Sequence, residues 1–256
     1  MASKNIYKTK YVAFVDLLGF KELVARSAED TDVQGLLLGV LAELRGTVAP
    51  NDGFDLRITA FSDSVVMSAD RTPTGLLEII RAIKCLATNV LSLRVFTRGG
   101  LVSGLVFHDD HNVFGPALVA AYQLELAAKM PRIQVADDVH TDLATLPFQL
   151  DGEIQVREGL PHIHYLWMFA RYTGVPTVGE LVLDGTAKLI VNHTRQVLRH
   201  DRPDVVDKAA WFQAYWNDTV AAQGILPSIV DDDSPLFPDA ETPPTIVRLY
   251  RMGRSK

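Results

Sequence analysis

Tyr11-Val12-Ala13-Phe14-Val15-Asp16, running into Leu17-Leu18-Gly19-Phe20, and the later Phe61-Ser62-Asp63-Ser64-Val65 decide how this chain folds. The first stretch is a short apolar run that ends on an acid, the pattern of a buried strand. Leu18-Gly19-Phe20 breaks it and leads into a helix. A second helical pattern runs from Asp32 to about Arg45, and Pro50-Asn51-Asp52-Gly53 reads as a turn cluster. Phe54 to Phe61 and Val65 to Ser68 read as two strands around the Ser62-Asp63-Ser64 bend. A helix from about Thr74 to Leu91 follows, then one or two strands over Arg94 to Phe107, broken near Gly104.

The order is therefore strand, helix, strand, strand, helix, strand. That is the ferredoxin-like or palm βαββαβ order, an α+β fold. Beyond it, Gly115 to Lys129 reads as helix, Ile133 to Ala136 as strand, and His164 to Phe169 as a further strand. Val178 to His200 and Val205 to Gln223 read as helices around the Asp201-Arg202-Pro203-Asp204 turn. Asp231 to Pro244, rich in Asp and Pro, reads as extended. The change of character near Thr173 divides the chain into a core, residues 1–173, and a helical extension, residues 174–256.

Composition narrows the function. The chain has 256 residues, 48% of them hydrophobic, enough for a substantial core. The formal net charge of −6 argues against nucleic acid as a partner, because a phosphate backbone needs a basic face. A triphosphate substrate is compatible, since metal ions bring positive charge with them. Cys85 is the one cysteine and sits in an apolar helical stretch, so it reads as a small buried hydrophobe. The N-terminus lacks an apolar leader and no run is of membrane-spanning length, so a soluble cytoplasmic protein with no membrane partner is expected.

Asp16 at a strand end and Asp63 at a hairpin tip come together in a palm order. Singly, each has an ordinary reading as a turn or cap residue. Together, two carboxylates repel unless a cation lies between them, and oxygen ligands of this kind suit Mg²⁺ or Mn²⁺. Two such ions activate an attacking oxygen and stabilise a leaving pyrophosphate. Backbone N–H groups of Leu18, Gly19 and Phe20, at a helix start, are placed to hold phosphate oxygens. Other candidates are weaker. His108-Asp109-Asp110-His111 reads as a solvated hairpin loop, and His162-Ile163-His164 as strand residues without a third metal ligand. There is no Walker loop, dinucleotide fingerprint or nucleophile elbow.

Three segments resemble the class III adenylate and guanylate cyclase family. Phe14-Val15-Asp16-Leu17-Leu18-Gly19-Phe20 is similar to its first metal motif. Phe61-Ser62-Asp63-Ser64-Val65 is similar to its second, with Ser62 in place of the usual glycine. Arg98-Gly99-Gly100-Leu101-Val102-Ser103-Gly104, Phe114-Gly115 and Ala121-Tyr122-Gln123-Leu124-Glu125 resemble the strand and helix beyond. The resemblance covers roughly Tyr11 to Val139. It implies a head-to-tail homodimer and two metal ions on Asp16 and Asp63, one aided by the Leu17 carbonyl. The acids would come from one chain and the Gly115 to Lys129 helix from the other, so that damage at Asp63 in one chain and at Arg98 or Tyr122 in its partner would complement.

The pattern also departs from the family. Its transition-state asparagine falls on Val119 and its phosphate-binding arginine on Gln123. Arg98 and Tyr122 are the nearest substitutes. The family's two base-selecting positions fall on Thr59 and Asn112, which match neither purine code. An Asn amide offers both a donor and an acceptor and can pair with uracil or, flipped, with cytosine. These departures, with the helical tail, are similar to the pyrimidine cyclases of the Pycsar antiphage system. That resemblance implies a cyclase using UTP in preference to CTP, its cyclic nucleotide being read by a separate effector. A degenerate domain that binds nucleotide or a partner without turnover, and a purine cyclase, are the alternatives.

Overall fold

A computed structural model describes residues 5–46, 56–146, 152–230 and 236–237. The expected turn at Pro50 to Gly53, the start of the second strand at Phe54 and most of the Asp231 to Pro244 segment lie outside the described residues.

The chain runs β1 (Lys8–Leu17), α1 (Phe20–Ser27), α2 (Thr31–Gly46), β2 (Arg57–Phe61), β3 (Ser64–Asp70), α3 (Pro73–Ser92), β4 (Thr97–His108), β5 (Val113–Phe114) and α4 (Pro116–Ala128). It continues with β6 (Ile133–Val135), α5 (Asp137–Ala144), β7 (Ile154–Arg157), β8 (Leu160–Ile163), α6 (Trp167–Ala170), α7 (Val178–Leu198) and α8 (Pro203–Ala221). The strands form one sheet in the order β2-β3-β1-β4-β6-β8-β7, with β5 paired to β4. The first four are antiparallel neighbours, the ferredoxin-like order expected from the sequence. β6 then joins β4 in parallel, and the β7–β8 hairpin extends the sheet.

Strand periodicity sorts β1 between two cores. Tyr11, Ala13, Val15 and Leu17 enter the large cluster that also takes Leu76, Ile79, Ile80 and Ile83 of α3. Leu183, Ala187 and Ile190 of α7 and Phe212, Tyr215 and Trp216 of α8 belong to the same cluster, so the core is continuous from the sheet to the last two helices. Val12 faces the other way and packs with Val66, Val102, Val106, Ala117 and Ala121, with Phe14 against them. That second face is covered by α4. Gly100 is what lets α4 approach: a Cβ there would stand 2.6 Å from the Ala121 carbonyl oxygen and 2.8 Å from Leu124 Cβ.

Two expectations are corrected. The strand placed at His164 to Phe169 is instead β8, ending at Ile163, and α6 begins at Trp167. The reason is the Glu158-Gly159 turn, whose residues both take positive φ (56° and 75°) between the paired Arg157 and Leu160. This is the geometry of a two-residue hairpin, and it sets the second strand earlier. The break near Gly104 is a local distortion (φ 157°) inside a single β4. Among the described residues, no helix is long and apolar enough to cross a membrane.

Candidate active site

Asp16 is the penultimate residue of β1 and pairs across the sheet with Ser64 of β3 on one side and Arg98 of β4 on the other. Because it shares the parity of Val12 and Phe14, it lies on the α4 face. Asp63 sits in the two-residue link between β2 and β3, and its carbonyl accepts the Leu17 N–H at 2.9 Å. The backbone thus brings the two residues near one another, close enough for the Asp63 charge to act on Asp16. Ser62, before Asp63, takes φ 50°. A glycine would meet this conformation without strain, which accounts for the glycine of the resembling motif.

The acids sit within a charged cluster. Ser64 Oγ donates to Asp16 Oδ1 at 3.4 Å. Arg98 Nη2 lies 3.7 Å from Asp16 Oδ2 and also pairs with the Glu125 carboxylate of α4. Burial pushes the Asp16 carboxyl above the ordinary aspartate range; the Arg98 charge opposes this and the Asp63 charge adds to it. Burial likewise raises the Glu125 carboxyl against the pull of Arg98. Arg98 Nε is buried and finds no acceptor among the described residues.

Glu125 was not singled out by sequence reasoning. Its signal was nevertheless present. Ala117, Ala121, Glu125 and Ala128 are the buried residues of α4 and follow helical spacing. A carboxylate in a stripe of alanines must find a cation, and Arg98 is the unusual residue in the strand beneath.

The remaining sequence candidates fall in three places. Gly19 caps α1 with φ 79°, and the Leu18 N–H is already given to the Phe96 carbonyl at 2.9 Å. Behind Leu18 and Gly19 lies a cavity of about 250 Å³, with Phe96 and Val197 in its wall and both bases (Arg26, Arg94, Lys208) and acids (Glu22, Asp204) lining it. Thr59 pairs with Val66 in the sheet, so it too lies on the α4 face. Its Oγ1 is 2.9 Å from His108 Nε2. Asn112 closes the β4–β5 turn. Its backbone N–H donates to Asp109 Oδ1 at 2.7 Å, and its side-chain Nδ2 is 3.4 Å from the same oxygen.

Asp109 to Asn112 form a hairpin turn, as expected from the sequence, but His108 is buried rather than solvated. Tyr122 rests edge-on against Phe14, ring centroids 5.3 Å apart, and is exposed on its outer side. Val119 and Gln123 lie on the same outer surface of α4. Arg98, in contrast, lies beside Asp16 of its own chain.

His162 and His164 serve the core. The His162 ring meets Trp211 and Tyr215 edge-on, and His164 Nδ1 bonds the Tyr215 hydroxyl at 2.8 Å.

Among the described residues, no group of three or more histidine, cysteine or carboxylate side chains converges on one point. The pair Asp16 and Asp63 still fits Mg²⁺ or Mn²⁺, which typically takes one or two carboxylates and fills its shell with water and substrate phosphates.

No protein-family model and no curated protein matches the chain. Among solved structures, it is similar to a bacterial light-regulated adenylyl cyclase, with 18% identity and a TM-score of 0.44 over 62% of this chain and 91% of that one. It is also similar to a class III adenylyl cyclase-like ATP-binding protein from Pseudomonas aeruginosa, with 14% identity and a TM-score of 0.41 over 53% of this chain and 35% of that one. An adenylate/guanylate cyclase/hydrolase from Silicibacter pomeroyi gives 19% identity and a TM-score of 0.36 over 61% and 94%. These names describe the neighbours, and at such scores the likeness carries no part of the functional reading.

Proposed function

We propose that this chain is a class III-type nucleotidyl cyclase that converts a pyrimidine nucleoside triphosphate, UTP in preference to CTP, into the 3′,5′-cyclic monophosphate and pyrophosphate. The observation that carries the reading is the joint placement of Asp16, Asp63 and Arg98. Two acids are locked together by the β1 end and the β2–β3 link, with one guanidinium across the sheet from them.

In this reading Asp16 and Asp63, with the Leu17 carbonyl, hold two divalent cations, Mg²⁺ or Mn²⁺. When bound, these supply Lewis-acid activation of the 3′-oxygen and charge stabilisation of the departing pyrophosphate. The 3′-hydroxyl gives its proton to solvent, its oxygen bonds the α-phosphorus, and the bond from that phosphorus to the β-phosphate's bridging oxygen breaks, releasing pyrophosphate. Arg98 offers its guanidinium to phosphate oxygens, held ready by Glu125. The Gly19 and Phe20 N–H groups at the start of α1 are assigned to phosphate oxygens in this reading. Thr59 on the α4 face of β2 and Asn112 in the β4–β5 turn are the two positions assigned to the base in this reading.

A homodimer belongs to this proposal. Val119, Tyr122 and Leu126 form an exposed apolar face on α4, and Phe61 is exposed beside Asp63. Such a face suits a second copy that brings its own α4 over the acids. The extension from residue 174 onward is proposed as an addition to the catalytic core. A role as an antiphage second-messenger enzyme with a separate effector rests on the sequence resemblance alone.

The test is incubation with equal ATP, GTP, CTP and UTP in Mn²⁺, read by mass spectrometry. Cyclic UMP is expected, and its loss in Asp16→Asn and Asp63→Asn with the fold retained. Predominant cyclic AMP or cyclic GMP refutes the pyrimidine reading, and cyclic CMP refutes only the uracil choice. Val119 and Gln123, where the family has asparagine and arginine, favour a second reading, a binding domain without turnover. That reading is the correct one if UTP binds and no product forms.

A further inference from the structure

We propose that the cavity behind Leu18 and Gly19 is a binding site, separate from the acids of the candidate active site, for a small organic anion: an apolar ring that carries one acidic group. It is built jointly by the α1 region and the last two helices.

The cavity measures about 250 Å³, just below the usual range of small-molecule pockets, about 300–1,000 Å³. One side comes from the Leu18-Gly19 link, α1 and the residues before β4. The other comes from the end of α7 and the start of α8. Asp16, Asp63 and Arg98 are not among its lining residues. Its apolar wall, Leu18, Leu23, Phe96 and Val197, packs with the large core cluster, whereas Asp16 has the strand parity of Val12 and Phe14, which pack with the α4 cluster.

Charge decides the occupant. Two acidic side chains, Glu22 and Asp204, and four basic ones, Arg26, Arg94, Arg202 and Lys208, line the cavity. The acids are already matched. Glu22 pairs with Arg202 at 3.2 Å, and Asp204 pairs with Arg202 at 3.0 Å and Lys208 at 3.1 Å. Arg26 and Arg94 make no ion pair and no side-chain hydrogen bond among the described residues. The lining therefore carries an excess of positive charge that an anion would balance and a cation would meet as repulsion.

The rest of the wall suits a ring. His193 lies with its ring centroid 5.4 Å from that of Phe96. Burial and the nearby Arg94 charge hold its pKa down to about 4, so at neutral pH it is an uncharged aromatic surface against which a flat apolar group packs.

Arg94 adds an independent observation. It lies just past the Leu93 cap of α3 at φ 64°. Helices commonly end there on glycine, which takes this conformation without strain. An arginine at the same place bears the backbone cost and puts a cation on the cavity.

The test is an NMR titration of the ¹⁵N-labelled full chain with three probes that share one ring: phenyl phosphate, benzyl alcohol and benzylamine. Phenyl phosphate should shift the Gly19 and Phe96 amides and the His193 ring, and bind about tenfold tighter than benzyl alcohol, while benzylamine should not bind. Arg26→Gln and Arg94→Gln should each weaken phenyl phosphate about three- to fivefold and leave benzyl alcohol unchanged. Arg94→Gly should weaken it equally and raise the melting midpoint by about 2–4 °C, because the strain is relieved. Val197→Phe should fill the space and abolish binding of both. Arg26 and Arg94 are exposed, so their variants keep the fold and decide the question even if Val197→Phe does not. Excess UTP with Mn²⁺ should leave phenyl phosphate in place. Equal affinity for the three probes, or for phenyl phosphate in all the arginine variants, overturns the anion assignment. Shifts that spare Gly19, Phe96 and His193 overturn the site. Displacement by UTP makes the cavity part of the substrate site and overturns the proposal, whatever the chain turns over.

Discussion

Replacing Glu125 by methionine removes a carboxylate at nearly constant volume and leaves Arg98 behind. Glu125 is 2% exposed at its side chain and Arg98 19%, so neither charge is well hydrated. At an effective dielectric of 20, two unit charges about 4 Å apart attract by about 4 kcal/mol. Breaking a buried pair on one side costs about 3–5 kcal/mol. Arg98 keeps a second anion, Asp16, at 3.7 Å, which places the expected loss near the lower end, about 3 kcal/mol. For a domain of this size, each kcal/mol is worth roughly 2–4 °C in Tm, so Glu125→Met should melt roughly 6–12 °C lower. Arg98→Met should cost a similar amount. The double variant should recover much of the loss, since the methionine pair leaves neither Glu125 nor Arg98 as a lone buried charge and only the partly exposed Asp16 loses its cation, and the coupling should be about 2 kcal/mol or more. The assay is urea unfolding of all four proteins, read by intrinsic fluorescence. A Glu125→Met loss below about 1 kcal/mol, or strict additivity in the double variant, would refute the pairing as the device that holds Arg98 in place.

Asp16→Asn tests the sign of an electrostatic effect. A raised carboxyl pKa in the fold stabilises the protein below the ordinary aspartate value, and that contribution is lost as pH climbs through the folded value. The metal-free Asp16→Asn protein should therefore gain stability relative to wild type as pH rises from the acid range to neutrality, a trend that urea titrations at several pH values would expose as wrong if it is flat or reversed. Gly100→Ala puts a Cβ 2.6 Å from the Ala121 carbonyl and should cost about 1–3 kcal/mol by overpacking; a neutral result in thermal melts means that α4 does not sit as described. His162 and His164 are buried with pKa values held down to about 4 by desolvation. Stability should thus be full above the ordinary histidine range and fall as pH drops from about 6.5 toward 4, and His164→Gln should flatten part of that fall. Analytical ultracentrifugation of the full chain should give a dimer, and Val119→Glu on α4 should shift it toward monomer; a wild-type monomer that turns over UTP removes the dimer reading.

The order of the core elements and the nearness of Asp16 to Asp63 were legible in the sequence because both follow from short-range rules. An apolar run ending in an acid makes a strand end, a polar triplet between β runs makes a hairpin tip, and the βαββαβ order allows few ways to join them. The Glu158-Gly159 turn was legible in principle, and overlooking its positive-φ requirement displaced the expected strand by several residues.

Three things only the tertiary structure decided. Glu125 and Arg98 are far apart in sequence and meet because Gly100 lets α4 sit close to the sheet. Arg98 lies beside Asp16 in its own chain, since antiparallel register sets residue against residue and periodicity along one strand carries no register. His108 looked like a solvated loop residue in its acidic surroundings, yet the β4–β5 hairpin folds it over the sheet onto Ser68 and Thr59. A side chain's neighbours along the chain report its turn. Its neighbours across the sheet decide its hydrogen bonds, and these exist only once the strands are paired.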